Sequence, residues 1–358
     1  MPQMPHKSAD LHAAEHASPK GYVCHKADRP IRVTGGGDDP QWSAMPWTDD
    51  FVDIQGPPEV SGRPTPRYRT RVMMCYCDRY LYLFAQMEEP DVCATLTEKN
   101  VVIFQDNDFE VFIDPDGDNT NYHEYEVNAL GTIWELTLPQ PYRTGAQPIN
   151  PDNIHGLISK VKVCGELNSP NSKSNGWTVE LAIPFAGMSK YIDPAFANHS
   201  HRHTRSTAPG HGEHWRINFS RVQWRWKVVD GQYVKDPPDQ AEDNWVWSPQ
   251  GVIDMHRPAT WGYLQFSELP PGQDKLHRDP ALAARNALMG VWERMLACDH
   301  QPSTLGELIE RTTPLADNRL NIELRPDPEH GWIASTTLTT PGGHASVHVC
   351  KDARLWLD

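Results

Sequence analysis

Period-two alternation runs through most of this chain, and that pattern limits what it can fold into. The longest example is residues 104–136, FQDNDFEVFIDPDGDNTNYHEYEVNALGTIWEL, where apolar and polar residues alternate on either side of an acid-rich turn. In a strand, side chains two apart share a face, so the stretch predicts two adjacent strands, each apolar on one face and polar on the other. Phe109, Val111 and Ile113 form one face of the first strand, and Asp108, Glu110 and Phe112 the other. In the second strand Tyr125 and Val127 alternate with Glu124, Glu126 and Asn128.

The same signal recurs. Residues 70–89 hold two alternating runs around Asp78-Arg79, which predicts a hairpin. Further strands are predicted at 156–166, 176–183, 214–226 and 260–267, and in the third of these Trp215, Ile217 and Phe219 alternate with Arg216, Asn218 and Ser220. The 32 prolines and 24 glycines supply turns between them. Short strands with no helices between them argue for an all-β domain, an antiparallel sandwich or barrel.

Residues 1–20 read as a disordered segment, and the β domain spans 21–268. Residues 269–280, LPPGQDKLHRDP, read as a linker. Beyond it Leu282, Leu288, Trp292, Met295 and Leu296 fall close to helical spacing, with short strands predicted at 319–325, 331–338 and 344–350. Residues 281–358 are therefore expected to form a small α+β appendage.

The net charge of −14 repels phosphate backbones and anionic membrane surfaces, so nucleic acid is not an expected partner. No stretch approaches the ~20 apolar residues of a membrane span, and the N-terminus as given carries no apolar leader. The seven cysteines (Cys24, Cys75, Cys77, Cys93, Cys164, Cys298 and Cys350) include no CxxC pair. Cys75 and Cys77 point the same way in a strand, and the set reads as free buried thiols, which favours a reducing compartment.

Six blocks in order carry a resemblance: YVCHKADRPIRVTGGGDDPQW (22–42), RVMMCYCDRYLYLFAQMEEPD (71–91), DNDFEVFIDPDGD (106–118), GWTVELAIPF (176–185), WRINFSR (215–221) and WGYLQF (261–266). Together they resemble the family 9 carbohydrate-binding modules, and more closely the carbohydrate-binding family 9-like proteins of the same DOMON-like superfamily, over residues 21–268. The resemblance implies an antiparallel two-sheet, jelly-roll-like β-sandwich with a ligand site on a concave face. It implies that two tryptophans clamp a terminal sugar. Here the first clamp position falls on Phe104, and the second falls near Met255–His256, where no tryptophan stands. Glu110 and Asn128 match polar contact positions, and Glu126 stands where the sugar binders carry an arginine. The family is often exported, which opposes the reading from the cysteines.

Read by its chemistry, a shared face holding Glu110, Glu126, Asn128, Arg216 and Asn218 offers the mixture of acceptors and forked donors that sugar hydroxyls need. Phe104, Trp134, Trp224 and Trp247 are candidates for an aromatic floor. Arg221, and His256 with Arg257 in place of the missing tryptophan, complete the expected contacts. A solvated outer face with structural ion pairs would show the same pattern. Two carboxylates on one face also suit glycoside hydrolysis or lyase chemistry through Glu110 and Glu126. Arg216 and Arg221 are expected to hold both ionised, which disfavours a general acid.

The turn DPDGDN places Asp114, Asp116 and Asp118 at alternate positions around Gly117, like the start of a calcium loop, although Tyr125 stands where the distant bidentate glutamate belongs. Calcium as a structural ion is therefore a candidate cofactor. The His-rich run within 186–213 reads as a polar loop rather than a metal site. A third function, haem binding through Met73, Met74, Met255 or His256, follows only from the wider superfamily.

Overall fold

A computed structural model of the chain describes residues 18–149, 156–188, 208–237, 241–297, 320–340 and 343–358. The expected disorder of 1–20 falls outside them except at 18–20. So does most of the His-rich run, together with Cys298.

The strands are β1 (Gly21–Lys26), β2 (Val52–Asp53), β3 (Thr70–Tyr76), β4 (Tyr80–Met87), β5 (Asp108–Asp114), β6 (Tyr122–Asn128), β7 (Ile133–Leu138), β8 (Ile158–Val163), β9 (Trp177–Pro184), β10 (His214–Gln223), β11 (Trp226–Val229), β12 (Gln232–Lys235), β13 (Asp243–Val246) and β14 (Gly262–Ser267). Twelve of them form one sheet in the order β7-β6-β5-β10-β14-β1-β3-β4-β9-β8, with β13 pairing β10 and β2. β11 and β12 make a separate hairpin.

The sheet is mixed, not purely antiparallel as expected. β1 runs parallel to both of its neighbours, β14 and β3. A parallel neighbour needs a crossover of a dozen or more residues, and the chain between β1 and β3 supplies it. Two further boundaries differ from the sequence reading. The run 214–226 is broken between β10 and β11, and β13 forms where the sequence reading placed no strand.

The sheet curls, so that one apolar core draws on both halves: Phe109, Val111 and Ile113 of β5, Ile217 and Phe219 of β10, and Val72, Met74, Leu81 and Leu83 of β3 and β4. Aromatic contacts join the halves, with Tyr76 and Phe266 edge-on at 5.1 Å. The predicted apolar alternates are thus the core residues.

Each half also buries its opposite face. Behind β3, β4 and β9, Ile31, Trp42 and Met45 cover Met73, Cys75, Cys77 and Phe84. Behind β5, β6 and β7, Met255 and Trp261 cover Phe112, Tyr122, Leu136 and Leu138. Every residue of β5 and β6 is consequently buried, and the expected open polar face does not exist over most of its length. All the cysteines among the described residues are free, and all but Cys164 are buried.

The C-terminal region is a helix, Leu282–Ala297, packed on a four-stranded antiparallel sheet of β15 (Ile322–Asp327), β16 (Gly331–Thr340), β17 (Gly343–Cys350) and β18 (Leu355–Leu357). It is anchored to the large sheet by specific contacts. Glu293, 4% exposed, meets both Arg143 at 2.5 Å and Arg257 at 2.9 Å. The Leu355 amide donates to the Asp118 carbonyl, and the Asn119 side chain donates to the Ala353 carbonyl. No helix among the described residues is long and apolar enough to cross a membrane.

Candidate functional site

The outer face of β5 and β6 stays open at one end, where it forms a cleft of about 290 Å³. Pairing builds its floor: Glu110 lies directly opposite Glu126, and Phe112 opposite Glu124. Trp134 lies across from Glu126 on β7. Phe104 comes from a short 3-10 turn before β5, and Tyr142 and His256 from the loops after β7 and β13. Glu242, Asn244 and Asp254 complete the polar rim.

The electrostatics of this cleft are one-sided. Five carboxylates line it, from Glu110, Glu124, Glu126, Glu242 and Asp254; among the described residues no Lys or Arg does, although Arg143 reaches Asp254 from outside at 4.0 Å. Asp108 lies beneath, with no solvent exposure. Burial, opposed by a Ser220 hydrogen bond and reinforced by Glu242, pushes Glu110 up to about 7. Burial, together with the negative charge of Glu110, raises Asp108, Glu124 and Glu126 well above the usual carboxylate range. The expectation that arginines hold Glu110 and Glu126 ionised is therefore overturned. His256 is pushed down to about 4 by burial, so it is a neutral imidazole at pH 7, with Nδ1 3.0 Å from the Tyr122 hydroxyl and its ring 4.3 Å from that of Tyr142.

The cleft unites Phe104, Glu110, Glu126, Trp134 and His256 of the expected contacts. The others lie elsewhere. Asn128 spends its amide on the chain: Nδ2 donates to the Leu96 carbonyl and to Asp106, and Oδ1 accepts from the Leu130 and Thr132 amides. Asn218 is likewise engaged, donating to the Ser248 carbonyl and accepting the Phe219 and Ser248 amides. Arg216 shares the sheet face with Glu110 but sits at its far end. There it donates to the Trp261 and Ala259 carbonyls and stacks 3.7 Å from the Tyr263 ring centroid. It lines a second cavity of about 550 Å³, with Asp116, Asp279 and Arg285, beside the C-terminal helix.

Arg221 and Trp247 face inward. Arg221 belongs to the Ile217–Phe219 side of β10 and donates to Thr70 Oγ1 and the Glu88 carbonyl, 3.5 Å from Glu89. Trp247 is in the core, against Phe219, and closes so tightly on Gly262 that a Cβ there would come within 2.3 Å of its ring. Trp224 anchors Phe104 from behind, its indole N–H donating to the Phe104 carbonyl. Arg257 turns away from His256 to meet Glu293.

The acidic turn is built differently. Asp114 accepts the Gly117 and Asn119 amides, and Asp118 accepts from Thr120 and meets Arg354 at 3.4 Å. The carboxylate oxygens of Asp114, Asp116 and Asp118 do lie within 4.8 Å of one another. The residues named for haem do not converge: Met73 and Met74 pack on opposite faces of β3, in different clusters, and neither cluster holds Met255.

Asp108, Glu124, Tyr142, Glu242 and Asn244 were not among the expected contacts. Asp108 and Glu124 stand in the alternation that marks Glu110 and Glu126, so a signal for them existed. Tyr142 and the rim residues come from loops, where no periodicity speaks.

No protein-family model matches the sequence, and no curated protein does either. Among solved structures, the fold is shared with a protein of Bacteroides uniformis ATCC 8492 provisionally described as carbohydrate-binding, at TM-score 0.50 and 16% identity, over 70% of this chain and 100% of the other. A family 9 carbohydrate-binding module from Caldicellulosiruptor kristjanssonii, solved with cellotriose and with glucose, aligns at TM-scores 0.43 and 0.42 and 13% and 14% identity, over 73% and 72% of this chain and all of that one. The likeness to the Bacteroides protein establishes the fold and leaves the ligand to the chemistry of the cleft.

Proposed function

We propose that this chain binds carbohydrate, and that the acid-floored cleft receives the uncharged end of a glycan. In this reading the curled sheet is a jelly-roll-like β-sandwich and the cleft lies on its concave side. One observation carries the proposal: aromatic rings of Phe104, Trp134 and Tyr142 stand beside Glu110, Glu124 and Glu126 in a single open pocket. A sugar presents an apolar ring face and a rim of hydroxyls, and this wall offers stacking for the first and acceptors for the second. Donors come from the Asn244 amide and the Tyr142 hydroxyl. The surplus of carboxylates disfavours uronic acids and other anionic sugars. The volume, near the lower end for ligand sites, suits a chain end rather than a long segment.

The test is calorimetry of the intact chain against a panel of neutral oligosaccharides. Saturable binding, weakened at least about tenfold by Phe104→Ala or Trp134→Ala with the melting temperature kept, is the expected result. A flat response to every glycan, or binding indifferent to both substitutions, would sink the proposal.

The raised carboxyl groups support a second reading. A glutamate near neutrality in a cleft has the proton a glycosidase acid needs, and Glu126 directly opposite could serve as its partner. Release of reducing ends from the same panel, abolished by Glu110→Gln, would establish it. Binding with no turnover would leave only the first.

A further inference from the structure

Asp108, Glu110 and Glu126 each bring a carboxylate oxygen within 4.8 Å of the other two. Oxygens bound to one calcium ion lie at most about 5 Å apart, twice a bond of 2.3–2.6 Å, so a single ion can reach all three. The trio is fixed by the sheet itself. Glu110 and Glu126 are directly opposed, Asp108 is two residues back on the same face, and none is more than 6% exposed.

Acidic clusters are common without an ion, and a fourth residue separates this one. Glu124, outside the trio but in the same cleft, is 4% exposed; its side chain hydrogen-bonds Glu126, yet its Oε2 has no hydrogen-bond partner. Asp108 Oδ2 and Glu126 Oε2 are in the same condition. A buried carboxylate oxygen without a partner is strongly disfavoured, so something positive belongs among them. Among the described residues no Lys or Arg lines the cleft to supply it. The donors are all oxygen, with no cysteine, which suits a hard cation rather than zinc or copper.

We propose that Asp108, Glu110 and Glu126 hold one divalent cation of the calcium type at the floor of the cleft, its open coordination positions facing the ligand. Calcium takes six to eight oxygens. Three carboxylates fill some of them and more than match its charge, and water or two neighbouring hydroxyls of a sugar can fill the rest. The role in recognition rests on the carbohydrate reading, whereas the ion site does not.

The test uses the full chain stripped with chelator and titrated with calcium chloride, without sugar, by calorimetry. Terbium luminescence excited through Trp134, which lies across from Glu126, gives a second readout. Glu126→Gln and Asp108→Asn copy the shape of the neutral acid, so folding should survive, as a melt in chelator would check. Asp116→Asn probes the other acidic cluster. Calcium binding weakened at least about tenfold in both cleft variants and kept in Asp116→Asn supports the proposal. No calcium binding up to millimolar concentration, or loss only in Asp116→Asn, overturns it. Sugar bound only when calcium is present supports the ion's part in recognition, and equal binding in chelator overturns that part while the carbohydrate reading stands. Calcium held in the cleft with no glycan bound supports the ion and sinks the carbohydrate reading.

Discussion

Two acidic clusters lie at opposite ends of β5, and the fold uses their oxygens differently. The Asp114–Asp118 turn has the spacing of an ion loop, whereas Asp108, Glu110, Glu124 and Glu126 alternate along two strands, where only Glu110 and Glu126 were expected to meet a ligand. In three dimensions Asp114 and Asp118 of the turn spend their oxygens on its own amides, on Thr120 and on Arg354. Asp108, Glu124 and Glu126 of the strands each keep one buried oxygen with no hydrogen-bond partner among the described residues. What distinguishes a candidate site from a structural motif here is how many acceptor positions the fold leaves unused, not how many acids it gathers.

The contrast can be broken by substitution. The largest effect is expected at the joint behind the cleft. Glu293→Ala would remove the buried carboxylate that Arg143 and Arg257 share, at a cost of about 3–5 kcal/mol. Tyr142 and His256 neighbour these arginines in sequence, so glycan affinity should fall together with the urea midpoint.

Next comes the turn itself. Asp114→Ala would orphan the Gly117 and Asn119 amides and should destabilise by roughly 2–4 kcal/mol. Glu126→Gln, at the other end of the same face, should change stability in chelator by less than about 1 kcal/mol, since the amide copies the shape of the neutral acid and can still hydrogen-bond Glu124. Equal losses from the two substitutions in a urea titration would erase the distinction.

A pH effect of similar or smaller size is expected from His256. Its folded pKa, about 4, lies below the unfolded value of about 6.5, so the neutral ring's contribution is complete above about pH 6.5 and is lost as pH falls toward 4. The loss could reach roughly 3 kcal/mol at about 1.4 kcal/mol per unit. The stability difference between wild type and His256→Gln should therefore shrink or reverse between pH 7 and pH 4, and a flat difference would contradict the burial argument. The smallest effect is expected at Asn128→Asp in glycan binding, because that amide belongs to the chain. An affinity change of more than about threefold would return it to the ligand's contacts.

Much of the scaffold was legible in the sequence. Alternation correctly separated Phe109, Val111 and Ile113 from Glu110, and Ile217 and Phe219 from Asn218, because a strand's period is a local property. The rest depends on what lies over each face. Nothing in β5 says that Trp261 and Met255, some 140 residues later, will seal most of its polar side. The inward turn of Arg221 follows from the same alternation that placed Phe219, yet a buried arginine contradicts the usual habit of its type. Trp247 looked like a stacking platform by composition, and only its contact with Gly262 makes it core. The parallel placement of β1 is a matter of crossover path, which the pattern inside a strand does not encode.

The central claim is that the ligand enters the acid-floored cleft rather than the larger cavity beside Arg216. Nitrogen–proton spectra resolve indole groups individually, and the chain has 13 tryptophans. Addition of a bound neutral oligosaccharide should shift the Trp134 indole signal, with a smaller response from Trp224 behind Phe104. If Trp134 stays still at saturation while Trp215, which borders the cavity at Arg216, moves, the ligand site has been placed at the wrong end of the sheet.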